Sequence, residues 1–373
     1  MIKGGQVMAT AAVLGSGNAA CTYSAYLGKR GHEIRLYDSP RFEDNLRPIK
    51  EKGGMDLVGA DTGFGPISLI TTDIEEAMKG VKVIFVVLPA FGHKVTAEAV
   101  APYAEDGQIY LLNPGAMCGA LEFYNTLRSC GCSKDVIVAE LESNIFACRR
   151  TGPTTVDVFG KKRSMAISTI PADKVQDVIR ELEVFYPNQF FAQPNMFYTS
   201  LAYGNMIIHP AGSLLNMGRI EWTHGDFKFY WEGLTPGVCR NIEAVDRERC
   251  NIGAALGCKI DSLLESSHRF YGHPERDSIY EFYRQSEVND QPDRPSAPKD
   301  LSNRYITEDV PYGLVPMSEL GKVLGVATPV IDSLITVASI ANEEDYHITG
   351  RTLKRLGLEG LDRDQILAKV TSG

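Results

Sequence analysis

One stretch near the start of the chain leaves little freedom in what its first domain can be. An apolar run, Met8-Ala9-Thr10-Ala11-Ala12-Val13-Leu14, passes directly into Gly15-Ser16-Gly17-Asn18-Ala19-Ala20. A helical stretch follows from Asn18 to about Arg30, and a second strand, Glu33-Ile34-Arg35-Leu36-Tyr37, ends on Asp38. Strand, G-x-G-x-x-A turn, helix, strand and acid, in that order, spell a dinucleotide-binding unit. Gly15 allows the tight turn, Gly17 lets backbone approach a pyrophosphate, and Ala20 keeps the helix close to the sheet. Asn18 and Ala19 open the helix, whose free N–H groups and dipole face the phosphates. Asp38 lies where a carboxylate accepts both adenosine-ribose hydroxyls and repels a 2′-phosphate, so NAD is the expected cofactor. Arg41, close behind it, can accommodate that phosphate, which keeps NADP open.

The following segments alternate short apolar runs with helical patterns, as in a doubly wound parallel sheet. Ile67–Thr71, Val81–Val87, Gln108–Leu112 and Val136–Ala139 read as strands, and Ser164–Thr169 and Gln189–Ala192 extend the sheet. After strand two come a helix through Arg47–Lys52 and then a glycine-rich excursion (Gly53, Gly54, Gly59, Gly63, Gly65). Ligands bind beyond the carboxyl ends of such strands. The fingerprint turn, Leu88-Pro89-Ala90, Asn113-Pro114-Gly115 and Glu140–Cys148 therefore face one crevice, with Pro89 and Ala90 against the cofactor. After Gln193-Pro194 the strand signals fade and helical patterns take over, beginning with Met196–Met217. The expected architecture is α/β: a Rossmann-type sheet domain over 1–193, then an all-helical domain over 194–373. Asn289–Asp300, with Pro292, Pro295 and Pro298, reads as a solvent loop or a lid.

At 373 residues the chain is long for a single core, and its net charge of −9 argues against nucleic acid or an anionic membrane as partner. No apolar stretch reaches the length of a membrane span. The eight cysteines are scattered without a C-x-x-C, and the seven histidines form no metal-binding pattern. A cytoplasmic protein with reduced thiols and no metal is expected; a homodimer stays open.

Two segments of the second half draw chemical interest. Thr199–Pro210 is a mostly apolar helical pattern with His209 directly before Pro210, where a kink is expected. His209 is a candidate acid/base or a satisfied core histidine. Asn303–Leu314 carries Arg304 and Asp309, whose spacing puts them on different faces of any regular element. They converge only if the segment turns, which Pro311 and Gly313 allow; otherwise these are charges on a surface loop.

Several further motifs extend the pattern: Leu88-Pro89-Ala90 with His93, Asn113-Pro114-Gly115-Ala116 with Gly119-Ala120-Leu121-Glu122-Phe123, and Ala147-Cys148-Arg149. Ile208-His209-Pro210, Tyr230-Trp231-Glu232-Gly233, Arg304-Tyr305, Glu308-Asp309-Val310 and Gly313-Leu314-Val315-Pro316 follow. In this order they resemble the octopine/nopaline-type opine dehydrogenases, most of all the bacterial N-(carboxyethyl)-norvaline dehydrogenase type, over essentially the full length. The resemblance implies NAD(P)H-dependent reductive condensation of an amino acid with a 2-keto acid, and its reverse. It implies His209 as acid/base, Asp309 as its partner, Arg304 as the grip on a substrate carboxylate, and Glu142 and Cys148 beside the amino acid. The octopine enzymes carry a glutamine near Met117-Cys118 that this chain lacks. Rival readings are a glycerol-3-phosphate dehydrogenase- or ketopantoate reductase-like enzyme, or a dinucleotide sensor without catalysis. The first two typically place a lysine in the catalytic helical region, and Met196–Met217 contains none.

Overall fold

The computed structural model describes residues 2, 3, 6–272, 274–285 and 297–373. Most of the loop expected over Asn289–Asp300 lies outside the described residues. Within its last part, the Ala297 N–H donates to the Phe227 carbonyl at 2.8 Å. The chain forms two compact units, 1–115 with 119–199 and 370–373, and 116–118 with 200–369. The main step between them falls after Thr199 rather than at Gln193.

Besides a two-residue pairing of Ile2–Lys3 with Gln6–Val7, the described residues of the first unit form the strands β1 Thr10–Leu14, β2 Glu33–Tyr37, β3 Gly54–Gly59, β4 Gly63–Pro66, β5 Leu69–Thr71, β6 Val83–Val86, β7 Ile109–Leu112, β8 Ile137–Leu141, β9 Phe146–Gly152, β10 Thr155–Lys161, β11 Met165–Ile170 and β12 Phe190–Ala192. Its helices are α1 Asn18–Lys29, α2 Glu43–Lys52, α3 Ile74–Met78, α4 Gly92–Val100, α5 Gly119–Ser129 and α6 Val175–Leu182. One sheet has the order β12-β11-β8-β7-β6-β1-β2-β5. From β8 to β5 all neighbours are parallel, as expected. Met165–Ile170 joins antiparallel to β8, so the extension is mixed rather than purely parallel. Residues 11–14 of β1 and 84–86 of β6 are fully buried, because both faces of a central parallel strand are covered.

The glycine-rich excursion is not irregular. It is the hairpin β3–β4 of a second sheet, ordered β9-β10-β3-β4. A Cβ on Gly65 would lie 2.1 Å from the Ala25 carbonyl oxygen of α1, so strand and helix meet backbone to backbone.

The remaining helices are α7 Phe197–Ser200, α8 Asn205–Leu214, α9 Met217–Thr223, α10 Pro236–Ala255, α11 Leu263–Tyr271, α12 Ile279–Gln285, α13 Arg304–Thr307, α14 Val315–Leu324, α15 Pro329–Ala341, α16 Tyr346–Thr349 and α17 Arg363–Ser372. Met196–Met217 is therefore not one helix. The Thr199 hydroxyl bonds to Glu140 at 2.7 Å, and the Ser200 hydroxyl accepts from the Cys118 N–H at 3.0 Å. These tertiary bonds outweigh the helical periodicity there. Pro210, where a kink was expected, lies inside α8, which runs on through it to Leu214. Around α8 pack α10, α13 and α15. Among the described residues no helix is long and apolar enough to cross a membrane.

Candidate active site

In the first unit, the turn from β1 to α1 is shaped for a dinucleotide. Gly15 has φ +116°, and a Cβ there would lie 2.6 Å from the Val87 carbonyl oxygen, so only glycine fits beside the end of β6. A Cβ on Gly17 would meet nothing within 4 Å. No side chain caps the α1 N-terminus, leaving the N–H groups of Asn18 and Ala19 to a phosphate. Asp38 follows β2, 9 % exposed, accepting from Ser16 Oγ at 2.5 Å and from the Ser39 N–H at 2.8 Å. Burial raises its pKa, with both hydrogen bonds opposing. Pro89 and Ala90 form the turn before α4, adjoining Gly15 through Val87 and Leu88. Arg41 is exposed, its guanidinium 5.7 Å from the Phe42 ring centroid. These residues fit NAD(P).

Arg150, passed over in the sequence, ties this loop to its surroundings. Its backbone N–H donates to Asn18 Oδ1 at 3.0 Å, and its guanidinium to the carbonyls of Ser16, Asn45, Gly152 and Pro153.

Glu142 and Cys148 also belong to this unit. Glu142 is fully buried and accepts from the Ala166 N–H at 2.5 Å. Beside it stands Lys162, donating to the Asn144 carbonyl at 2.6 Å and to Ser143 Oγ at 3.2 Å. Burial brings the Lys162 pKa down to about 8, with Glu142 opposing. Cys148 is half-buried on β9, its thiol pushed up to about 11 by burial despite a hydrogen bond with Thr22.

The second unit holds a histidine enclosed on every side. His209 is 5 % exposed on α8. Its Nδ1 lies 2.7 Å from Asp309 Oδ2, and its Nε2 3.0 Å from the Tyr230 hydroxyl. Tyr305 stacks on the ring, centroids 3.7 Å apart and planes at 9°. Two wide π-helical turns shape this arrangement: Phe229–Gly233 carries Tyr230, and Val310–Leu314 begins directly after Asp309. Such turns place one residue out of helical phase. Between Arg304 and Asp309 the chain turns through α13, which Asn303 caps through the Tyr305 N–H, and the charge of Asp309 is felt at Arg304.

Arg304 is half-exposed, and its Nε contacts the buried Glu308 carboxylate at 2.8 Å. Burial works against its charge, but Glu308, Tyr203 and Asp309 prevail and push its pKa up. With Nε held, Nη1 and Nη2 form the fork suited to a carboxylate. Glu308, Tyr230 and Tyr305 were read in the sequence only as letters of motifs. Tyr230 owes its place to a π turn and Tyr305 to α13, whereas Glu308 stands at the i,i+4 ion-pair spacing from Arg304, a signal the sequence did carry.

The chain has relatives among known proteins. The description NAD/NADP octopine/nopaline dehydrogenase, alpha-helical domain, matches residues 192–342. An opine dehydrogenase of Arthrobacter sp. (strain 1C) is 36% identical over 97% of this chain and 98% of its own length. The chain belongs to the opine dehydrogenase family. It is an NAD(P)-dependent oxidoreductase acting on the CH–NH group, in the reductive condensation of an amino acid with a 2-keto acid. An octopine dehydrogenase structure with NADH and L-arginine has the same opine dehydrogenase fold, at TM-score 0.74 and 22% identity over 98% of both chains. An NADP+-bound yersinopine dehydrogenase matches at TM-score 0.68 and 15% identity, covering 98% of each chain. Family membership sets aside the glycerol-3-phosphate dehydrogenase and ketopantoate reductase readings.

Proposed function

We propose that His209 and Asp309 are the acid/base pair of this opine dehydrogenase, that Arg304 grips the keto-acid carboxylate, and that NADH is the preferred reductant. The carrying observation is the 2.7 Å contact of His209 Nδ1 with Asp309 on the segment that presents Arg304. Asp309 fixes the ring and leaves Nε2 for proton traffic. Arg304 draws the keto acid in by its carboxylate, and its charge polarises the neighbouring carbonyl. Attack by the amino-acid nitrogen gives a carbinolamine; His209 supplies the proton with which its hydroxyl leaves as water. The reduced nicotinamide supplies the hydride when bound. Asp38 discriminates against a 2′-phosphate, and Gly15, Gly17, Asn18, Ala19, Pro89 and Ala90 line the cofactor, with Arg41 at its adenosine end. Glu142 and Cys148 are the amino-acid contacts.

A matrix of amino acids against pyruvate, glyoxylate, oxaloacetate and 2-oxoglutarate, with NADH and NADPH, tests the reading. The expected result is substrate-dependent loss of reduced-nicotinamide absorbance, with a secondary-amine dicarboxylate identified by mass. His209→Ala lowers kcat about 10²–10⁴-fold. Binding of NADH without turnover by any pair would instead mark a sensor. Asp38→Ser narrows the preference for NADH; a wild-type preference for NADPH would transfer that role to Arg41. All eight cysteines are unbonded to one another, with Cys130 exposed, Cys148 and Cys250 half-buried and the others buried. That thiol state supports a cytoplasmic setting. Exposed Trp222, Ile340 and Ile348 offer apolar surface for a homodimer, which light scattering would register as twice the 41.0 kDa chain mass.

A further inference from the structure

We infer that Tyr230 is the group that passes the proton between His209 and the substrate. The inference rests on the acid/base role of His209 and deepens it. Neither imidazole nitrogen is open. Nδ1 is taken by Asp309, Nε2 meets the Tyr230 hydroxyl, and Tyr305 covers one face of the ring. The His209 side chain is 6% exposed, whereas Tyr230 is only half-buried. Any proton path from His209 Nε2 therefore runs through the Tyr230 hydroxyl, which belongs to the more exposed residue of the two.

Hydrogen-bond directions make the relay consistent. With Asp309 ionised, Nδ1–H donates to it. A neutral His209 then accepts at Nε2 from the Tyr230 O–H. The Tyr230 oxygen also has a hydrogen bond with Tyr305. Once Nε2 is protonated it becomes a donor, and the Tyr230 proton must turn away from it. That proton is then the one the pair can pass on. Burial, with Tyr305 next, raises the Tyr230 pKa well above the ordinary phenol range, so the hydroxyl rests protonated.

The step balances as follows. Tyr230 gives its O–H proton to the carbinolamine hydroxyl as the C–O bond breaks, and water leaves. The Nε2–H proton moves to the Tyr230 oxygen in the same event, so the phenol is restored and His209 becomes neutral. The carbinolamine nitrogen donates its lone pair to form the iminium that is then reduced. The imidazole regains its proton from solvent before the next turnover.

Tyr230→Phe keeps the ring, which stacks on Tyr283 at 5.3 Å between centroids, and removes only the hydroxyl. In single-turnover experiments with a pair accepted by the wild type, opine formation by this variant falls about 10²-fold. Its cofactor affinity and melting temperature stay at wild-type values. Unchanged or faster turnover with a lowered KM would mean the hydroxyl merely plugs the site, and would overturn the relay. Should the variant fail to fold, the wild type decides. Its single-turnover rate in mixtures of light and heavy water curves downward with two protons in flight, and a straight line overturns the proposal. Proton NMR of the wild type without cofactor supplies a readout free of turnover. A low-field hydrogen-bonded proton that disappears in Tyr230→Phe supports the bond, and an unaltered spectrum overturns it. A wild type inactive with every pair would refute the proposed function itself, a result separate from any of these.

Discussion

Arg304 is held by one carboxylate so that it can hold another. Glu308 forms an ion pair with its Nε at 2.8 Å and is itself 2% exposed, so its charge draws the guanidinium from that side. Glu308→Gln is therefore expected to raise KM for the keto acid with little change in kcat. Arg304→Ala raises it further, by about 10- to 100-fold, the worth of one to two charge-assisted hydrogen bonds. Arg304→Lys recovers little, because an ammonium lacks the planar fork. Initial-rate kinetics with the amino acid saturating separate these outcomes. Lys162 gives a second residue-level expectation. Burial lowers its pKa from the ordinary 10.5 to about 8. Below pH 8 it is charged in both folded and unfolded chains, and the cost of burying the charge is fully felt. Between about 8 and 10.5 the unfolded chain binds more protons at this site, so folding stability gains as pH rises. Denaturant titrations from pH 7 to 10 should show Lys162→Met losing part of that gain, of order 3 kcal/mol. His209 and Asp309 were legible through motifs, and Asp38 through its place after a strand. Tyr230 and Lys162 were not, because each acts through a neighbour distant in sequence; Glu308, at i,i+4 from Arg304, could have been found from its spacing.

Elements with strong periodicity were readable, including β1, α1, β2 and β6. The hairpin β3–β4 was not. Strand signals rest on alternating or β-branched side chains, and here close approach to α1 demands glycine instead. The same small sheet carries Arg150, which connects β9 to the phosphate loop and α2. Arg150→Ala removes several bonds to carbonyls at once, one of them to Ser16, whose hydroxyl reaches Asp38. The variant is expected to be about 2 kcal/mol less stable, with weaker NADH binding by fluorescence titration and an unchanged KM for the keto acid. Equal NADH affinity in the two proteins would reduce Arg150 to a purely local brace. The π turns lay beyond sequence reading for a different reason. An extra residue in a turn leaves the apolar pattern intact while rotating everything after it.

On the scale of the whole molecule, chain order and packing do not coincide. Residues 116–118 belong to the helical unit although the chain on either side of them builds the sheet unit, and 370–373 return to the latter. Arg351, fully buried, donates to the Met117 carbonyl at 2.7 Å, and Cys118 bonds to Ser200. A fragment comprising 200–373 would lack these partners. It is expected to unfold without a cooperative transition by calorimetry, even though the family's alpha-helical domain matches from residue 192. A sharp transition near that of the full chain would refute the expectation. The sequence texture marked the change from strands to helices, but a three-residue exchange leaves no compositional trace. The distribution of thiols has a practical side. Cys130, just beyond α5, is exposed, while Cys148 and Cys250 are half-buried with raised pKa values and the rest are enclosed. Thiol-directed reagents therefore meet one exposed thiol per chain. A fluorophore, spin label or solid support can be attached at a single known point without first engineering the other cysteines away.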